Sequence, residues 1–347
     1  MTTIKVNASA KYNVHIGKGL LENAGEIISE VIAPCKAAII SDDKVLPLYG
    51  KKVRENLEKS DFSVVEYTFK NGEESKNIST FASILEFLAE NKLSRTDVII
   101  ALGGGVVGDM AGFCAATFLR GIRFVQIPTT ILAACDSSVG GKTAIDLCAG
   151  KNLAGAFHQP SAVICDTDTF KTLDARQVSC GFAETIKYGV ICDEKLFELL
   201  FEDDNDIENI LSVCVGIKRD IVERDEKESG DRKLLNLGHT LGHAVEKHSD
   251  FSLTHGEAVA VGMAMIAKIS EKLGIGAKVS EKLLRMLEKY GLPCSYDIDA
   301  DTLFALSSGD KKADGTSITL VLPERIGKCI LKKYTLSEYS KILKENL

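Results

Sequence analysis

The sequence predicts an α/β N-terminal domain followed by a mainly α-helical C-terminal domain. Three observations carry this. Over the first half, short runs rich in β-branched and apolar residues alternate with amphipathic stretches. From about residue 171, nearly every segment reads at helical period. The length, 347 residues, suits about two domains. Strand–helix alternation indicates a parallel sheet. Residues 1–170 are therefore expected to form the α/β part and residues 171–347 the helical part.

KAAIISDD reads as a buried strand ending in acids, LPLYGKKVRENLEKS as an amphipathic helix and SVVEYTF as the next strand. ISTFASILEFLAENKL is a helix, and TDVIIALGGG is a strand running into a glycine turn. VVGDMAGFCAATFL is helical and FVQIPTT is a further strand. DSSVGGKTAIDLCAGKNLAGAFHQP, residues 136–160, reads as a glycine-rich loop. SCGFAETIKYGVI, EKLFELLF, IENILSVCVGIKRDIVERDE, LLNLGHTLGHAVEKH, HGEAVAVGMAMIAKISEKLG and SEKLLRMLEKYG then follow as helices. SITLVLPERIGKCILKKY is a late β pair.

A net charge of -7 argues against nonspecific binding to nucleic acid or acidic membranes, while leaving room for a locally basic pocket. The ten cysteines form no CxxC and sit singly in apolar strings, Cys114 in GFCAAT and Cys165 in VICDTD. Such thiols are free and buried in a reducing compartment. The N-terminus lacks the apolar core of a secretory signal. No apolar run approaches the ~18 residues of a membrane span. A cytoplasmic protein is expected.

Gly103, Gly105 and Gly108 satisfy G-x-G-x-x-G between a strand and a helix. Such glycines let the backbone approach a pyrophosphate at a helix N-terminus, which makes the first domain Rossmann-like and nucleotide-binding. The motif lies late in the domain, and FVQIPTT ends without a ribose-binding acid, so a plain tight turn is the competing reading. Asp42 and Asp43 close an earlier strand and suit either a ribose or a helix N-cap. GGKT is no P-loop, because Asp136 stands where its first glycine belongs. Lys142 and Lys151, among small residues, suit phosphate or carboxylate binding; solvated surface charge is the plainer alternative.

His239, His243 and His255 fall within seventeen positions. The first two are spaced i,i+4 and share one helix face. Catalytic zinc takes three protein ligands and keeps one open position. Thr240 stands where HExxH would carry glutamate. Glu184 and Lys187, spaced i,i+3, read as a salt bridge or, with zinc present, as a third ligand and its neighbour. Arg120, Lys218, Arg232 and Asn236 add cations and an amide.

GGGVVGDMAGF, FLRGI, QIPTT, DSSVGGKT, GKNLAGAFHQP, GFAETIKYG, LLNLGHTLGHAVE, HGEAVAVGM and DKK, in this order, resemble the 3-dehydroquinate synthase family and its sugar-phosphate cyclase relatives nearly end to end. The resemblance implies a divalent metal, zinc or in its place cobalt, on Glu184, His239 and His255, with His243 facing substrate. It implies NAD against Asp42, Glu73, Lys76, Gly104, Gly105, Val106, Asp109, Thr129, Thr130, Lys142, Lys151, Thr169, Phe170 and Thr172. Substrate would meet Arg120, Asp136, Lys142, Asn152, Lys187, Lys218, Arg232, Asn236, His243 and Lys311. Of these, Lys142, Lys187, His243, Asn236 and Arg232 would carry the chemistry. Asn71, Leu119 and Asp146 depart from the family pattern without touching this ligand set.

The implied reaction turns 3-deoxy-D-arabino-heptulosonate 7-phosphate into 3-dehydroquinate and phosphate, in the shikimate pathway of aromatic amino-acid biosynthesis. Its steps are transient oxidation at C5 by NAD, β-elimination of phosphate, re-reduction, ring opening and an intramolecular aldol closure. The class would be a phosphate-eliminating carbon–oxygen lyase, working as a homodimer. Two other readings stand beside it: an NAD- and metal-dependent polyol dehydrogenase, and a non-catalytic NAD sensor. Net NADH formation from a simple alcohol would mark the first, and absent zinc the second.

Overall fold

Runs such as VIIALG bury every residue, as strands covered on both faces do. The computed structural model describes residues 1–202, 206–309 and 317–346. Its described residues pack as two units, Met1–Leu173 with Ile207–Lys227, and Asp174–Asp206 with Glu228–Leu347.

The first unit holds strands β1 (Thr2–Asn7), β2 (Lys11–Gly17), β3 (Lys36–Asp42), β4 (Ser63–Phe69), β5 (Val98–Gly103), β6 (Arg123–Pro128), β7 (Lys142–Leu147), β8 (Gly150–Phe157) and β9 (Ala162–Asp166). Its helices are α1 (Ala24–Ser29), α2 (Lys51–Lys59), α3 (Ile78–Glu90) and α4 (Gly105–Thr117). Seven strands form one sheet in the order β1-β2-β9-β6-β5-β3-β4. β1 runs antiparallel to β2, and the other pairs are parallel. Side chains alternate across the pleat. Ala37 and Ile39 of β3 pack with Val53 and Leu57 of α2 on one face. Ala38 and Ile40 pack with Ile84 of α3 and Met110 of α4 on the other.

Two sequence expectations change here. Residues 136–160 are not simply a loop: β7 and β8 pair as an antiparallel hairpin from Lys142↔Phe157 to Leu147↔Gly150. Small residues make this possible, since a Cβ on Gly155 would lie 2.2 Å from the Thr143 carbonyl oxygen. The boundary also differs from 170/171. The helix α7 (Ile207–Arg224) belongs with the first unit despite its place in the sequence. Just beyond it and at its end, Glu226 accepts the Ser9 N–H at 2.9 Å and Glu223 the Asn7 N–H at 2.6 Å. Helical period reports that α7 is a helix and is silent on which core receives its apolar face.

The second unit contains α5 (Ala175–Cys192), α6 (Glu194–Leu199), α8 (His239–His248), α9 (His255–Lys272), α10 (Val279–Lys289), α11 (Ala300–Gly309) and α12 (Leu336–Asn346). The β10 (Ser317–Arg325) and β11 (Lys328–Thr335) pair joins them. Asp174 with Gln177, and Thr254 with Glu257, form capping boxes that start α5 and α9.

Candidate functional site

In the first unit, the C-terminal sheet edge collects the residues expected to hold a dinucleotide. β3 and β5 are neighbours, yet β4 lies beyond β3 and β6 beyond β5. Open α/β sheets bind ligands at such a switch point. Ser41 pairs with Leu102, so Asp42 closes β3 beside Gly103. The acid absent after β6 is thus present at the end of β3. Gly103 pairs with Pro128 and accepts the Thr129 N–H at 3.0 Å, placing Thr129 and Thr130 on the same edge. Thr169, Phe170 and Thr172 occupy the turn that follows β9.

Asp42 Oδ1 accepts the N–H groups of Lys44 and Val45, each at 2.9 Å, which closes a turn ahead of the helical segment Leu46–Gly50 and does not cap it. Gly104 caps α4 with no side-chain hydrogen bond. The first-turn donors, which include Gly105 and Val106, therefore suit an anionic ligand. The Thr129 hydroxyl is buried with no hydrogen-bond partner among the described residues, whereas buried polar groups are normally satisfied. Both observations fit a pyrophosphate-bearing cofactor. Gly108 serves packing: its Cβ would stand 2.7 Å from Gln126 Oε1 on β6. Sequence reasoning missed Tyr49, whose hydroxyl lies 3.0 Å from the Thr169 carbonyl and 2.7 Å from Thr172 Oγ1.

A second cluster joins expected cofactor and substrate residues. Lys76, 4% exposed, reaches Asp109 Oδ2 at 2.7 Å and Asn152 Oδ1 at 2.5 Å. Burial opposes its charge, but Asp109, Glu73 and Asp146 together outweigh burial and hold the Lys76 pKa above the ordinary lysine value. Lys151 pairs with Glu73 at 3.3 Å. Asp146, read only as a departure from pattern, accepts the Asn152 N–H at 2.7 Å and gives its own N–H to the Lys76 carbonyl at 2.8 Å. α7 brings Lys218 Nζ to Asp136 Oδ1 at 2.6 Å.

Two further expected residues are exposed. Lys142 is exposed at the start of β7. Arg120 is exposed beyond the far end of the 13-residue α4, about 20 Å from Gly105 along the helix. It sits in a turn where Leu119, Arg120 and Gly121 all have positive φ, at 52°, 71° and 118°. Lys311 lies outside the described residues.

In the second unit, α5, α8 and α9 bring the expected metal ligands together. Gly242 and Gly262 allow α8 and α9 to cross closely: a Cβ on Gly262 would lie 2.0 Å from the Gly238 carbonyl oxygen and 2.7 Å from Gly242 N. Glu184 is fully buried, and its Oε1 is 3.4 Å from His239 Nε2 and 3.1 Å from His255 Nε2. One ligand atom from each of the three lies within 4.8 Å of the others. His239 Nδ1 is 3.1 Å from the Leu237 carbonyl. A carbonyl only accepts, so Nδ1 carries the proton and the Nε2 lone pair faces a carboxylate oxygen. Two acceptors held face to face call for a cation between them, and this is what fits the site to a metal.

Lys187, 1% exposed, forms a buried ion pair with Glu184 Oε2. Burial alone would raise the Glu184 pKa, but Lys187 and then His239 hold it well below the usual carboxylate value. Burial lowers the His239 pKa. The His243 ring lies 5.4 Å from His239 and 5.7 Å from His255, centroid to centroid. Arg232, 1% exposed, and Asn236 lie on the 3-10 turn Asp231–Asn236 that leads into α8. Asn236 Nδ2 donates to Glu228 Oε1 at 2.5 Å, a partner the sequence did not point out.

The family model described as 3-dehydroquinate synthase N-terminal matches residues 66–180, and the C-terminal one matches residues 181–313. A curated 3-dehydroquinate synthase of Clostridium acetobutylicum is 45% identical over 342 residues, 96% of each chain. Among solved structures, a 2-deoxy-scyllo-inosose synthase complexed with carbaglucose-6-phosphate, NAD+ and Co2+ aligns over 100% of both chains, with TM-score 0.88 and 28% identity. The 2-epi-5-epi-valiolone synthase of Streptomyces hygroscopicus subsp. jinggangensis, with NAD+ and Zn2+ bound, aligns over 98% of both chains, with TM-score 0.87 and 25% identity.

Proposed function

We propose the following roles from the premise that this chain belongs to the 3-dehydroquinate synthase family. The family reaction converts 3-deoxy-D-arabino-heptulosonate 7-phosphate to 3-dehydroquinate and phosphate, which makes the enzyme a carbon–oxygen lyase. The observation that carries the proposal is the convergence of His239 Nε2 and His255 Nε2 on one buried carboxylate oxygen. Glu184, His239 and His255 would hold a divalent cation, zinc or equally cobalt. When bound, the cation supplies Lewis acidity to substrate hydroxyls and NAD supplies a reversible hydride acceptor.

The chain's own groups bind and orient. The edge from Asp42 through Gly104, Gly105 and Val106 to Thr129, Thr130, Thr169, Phe170 and Thr172 would cradle the dinucleotide, with Glu73, Lys76, Asp109 and Lys151 beside it. Lys187 holds Glu184 ionised and would also meet the substrate. His243 would hydrogen-bond a substrate oxygen. Arg232 and Asn236 suit a carboxylate, since a guanidinium matches it with two parallel N–H donors. That favours the heptulosonate phosphate over sugar phosphates without a carboxyl group. Asp136, Lys142, Asn152 and Lys218 would meet its hydroxyls and phosphate. Positioning, more than any single protein base, then drives the sequence of steps.

A homodimer through the first unit belongs to the same reading. Among the described residues β8 pairs with β7 alone, and the hairpin exposes Leu147 (40%), Leu153 (48%) and Phe157 (46%). Uncovered apolar edge strands invite pairing.

The test is incubation of the zinc-loaded protein with the heptulosonate phosphate and NAD, following phosphate and NADH absorbance together. Phosphate release without net NADH is expected. Net NADH from a simple alcohol would support a polyol dehydrogenase instead.

A further inference from the structure

Glu246 has no part in the scheme above, although it ends the GHAVE string on the helix that bears His239 and His243. It is 4% exposed. A buried carboxylate is costly unless it is paired and hydrogen-bonded. It lies three residues after His243, on the same helix face. One ligand-type atom from each of His243, Glu246 and His255 lies within 4.8 Å of the others. His255 is thus flanked by two carboxylates, Glu184 at 3.1 Å from Nε2 and Glu246 in this second group.

Two physical arguments give Glu246 its role. The first is the proton count on the imidazoles. A neutral imidazole that ligates through Nε2 carries its proton on Nδ1, and that N–H needs an acceptor. For His239 the acceptor is the Leu237 carbonyl. His255 opens α9 and needs one as well. The second argument is charge. Lys187 cancels Glu184, so the ligand trio and its lysine together bring no net charge against a dication. Glu246 restores one negative charge within reach of the same imidazole.

We propose that Glu246 is a positioning carboxylate of the metal centre: it holds the His255 imidazole in the tautomer and orientation that present Nε2 beside Glu184. A second ion on His243, Glu246 and His255 would require one imidazole to serve two cations at once. The single-ion arrangement uses each of its nitrogens once. This rests on the proposed cation at Glu184, His239 and His255.

The experiment titrates zinc into metal-free parent, Glu246→Gln and Glu246→Asp proteins against a chromophoric chelator, with melting curves of each metal-free protein. The parent is expected to bind one zinc per chain. Glu246→Gln should bind it roughly 10–100-fold more weakly with an unchanged metal-free melting temperature. Glu246→Asp should fall between them, since it restores the charge. A parent that binds one zinc and a Glu246→Gln protein that binds it equally well would overturn the role of Glu246 alone. Unchanged zinc affinity with a raised KM would move the carboxylate to His243, against the proposal. Two zincs per parent chain would also overturn it. A parent that takes up no zinc would instead remove the ligand trio, and Glu246's role with it.

Discussion

The sheet edge of the first unit and the cation trio of the second are built on opposite principles. The edge is mainly backbone: strand register sets Asp42, Gly103, Thr129 and the turn after β9 in line. The trio is side chains: one carboxylate and two imidazoles from three helices, aimed at a single point. Register is shared among many strand pairs, so the edge should tolerate the loss of one side chain. The trio loses a third of its ligands with any single change.

The largest effect should come from Glu184→Ala. It removes a ligand and breaks the buried Glu184–Lys187 ion pair, a change that costs about 3–5 kcal/mol in stability. Zinc content and phosphate release should be lost together. NAD binding, measured by calorimetry at a temperature where the variant is folded, should stay within about threefold of the parent, or roughly 0.65 kcal/mol. A tenfold loss of NAD affinity would break the separation of the two regions.

Lys76→Met should come next. It strands Asp109 in the first unit and costs about 3 kcal/mol in melting experiments. NAD affinity should fall while zinc affinity holds. Gly262→Ala adds a single methyl and should cost about 1–3 kcal/mol, toward the upper end because its Cβ would meet backbone atoms at the start of α8 rather than a yielding side chain. It should lower zinc affinity by spreading α8 from α9. An unchanged zinc affinity would show that the helix crossing does not aim the imidazoles.

Legibility in the sequence followed the same division. The parallel strands from KAAIISDD to FVQIPTT were readable because both faces are covered and their apolar runs are continuous. The hairpin β7–β8 was not, because glycine and alanine hide the period-two pattern. α7 was readable as a helix but not as part of the first unit, since apolar period names no partner. Among site residues, His239 and His243 announced themselves by spacing, and Glu184 stood as either a salt-bridge partner of Lys187 or a third ligand until the resemblance favoured the ligand. Tyr49 and Glu228 carried no local signal, and the i,i+3 spacing of Glu246 from His243 did not say which imidazole it serves. Their roles arise from which atom each meets across the chain, and that is a tertiary fact.

The smallest effect concerns a second place where backbone architecture serves the trio, the start of α9. α9 begins at His255, and Thr254 with Glu257 closes its first turn by a capping box. Arg176 of α5 reaches Glu257 at 2.8 Å and 2.6 Å. Burial raises the Glu257 pKa, but the Arg176 hydrogen bond and then Thr254 overcome it and leave the pKa below the ordinary glutamate value. A carboxyl depressed in the folded state stabilises fully above its unfolded pKa, about 4.3. The contribution fades as pH falls through the folded value. Arg176 is half exposed, so solvent limits the pair to under about 1 kcal/mol. Melting curves of parent and Glu257→Gln should therefore differ by that amount at neutral pH and converge at strongly acidic pH. A gap that stays constant with pH would mean that shape, rather than the carboxylate charge, fixes the start of α9. In that case the second unit would owe its ligand geometry to packing, as the first unit owes its edge to register.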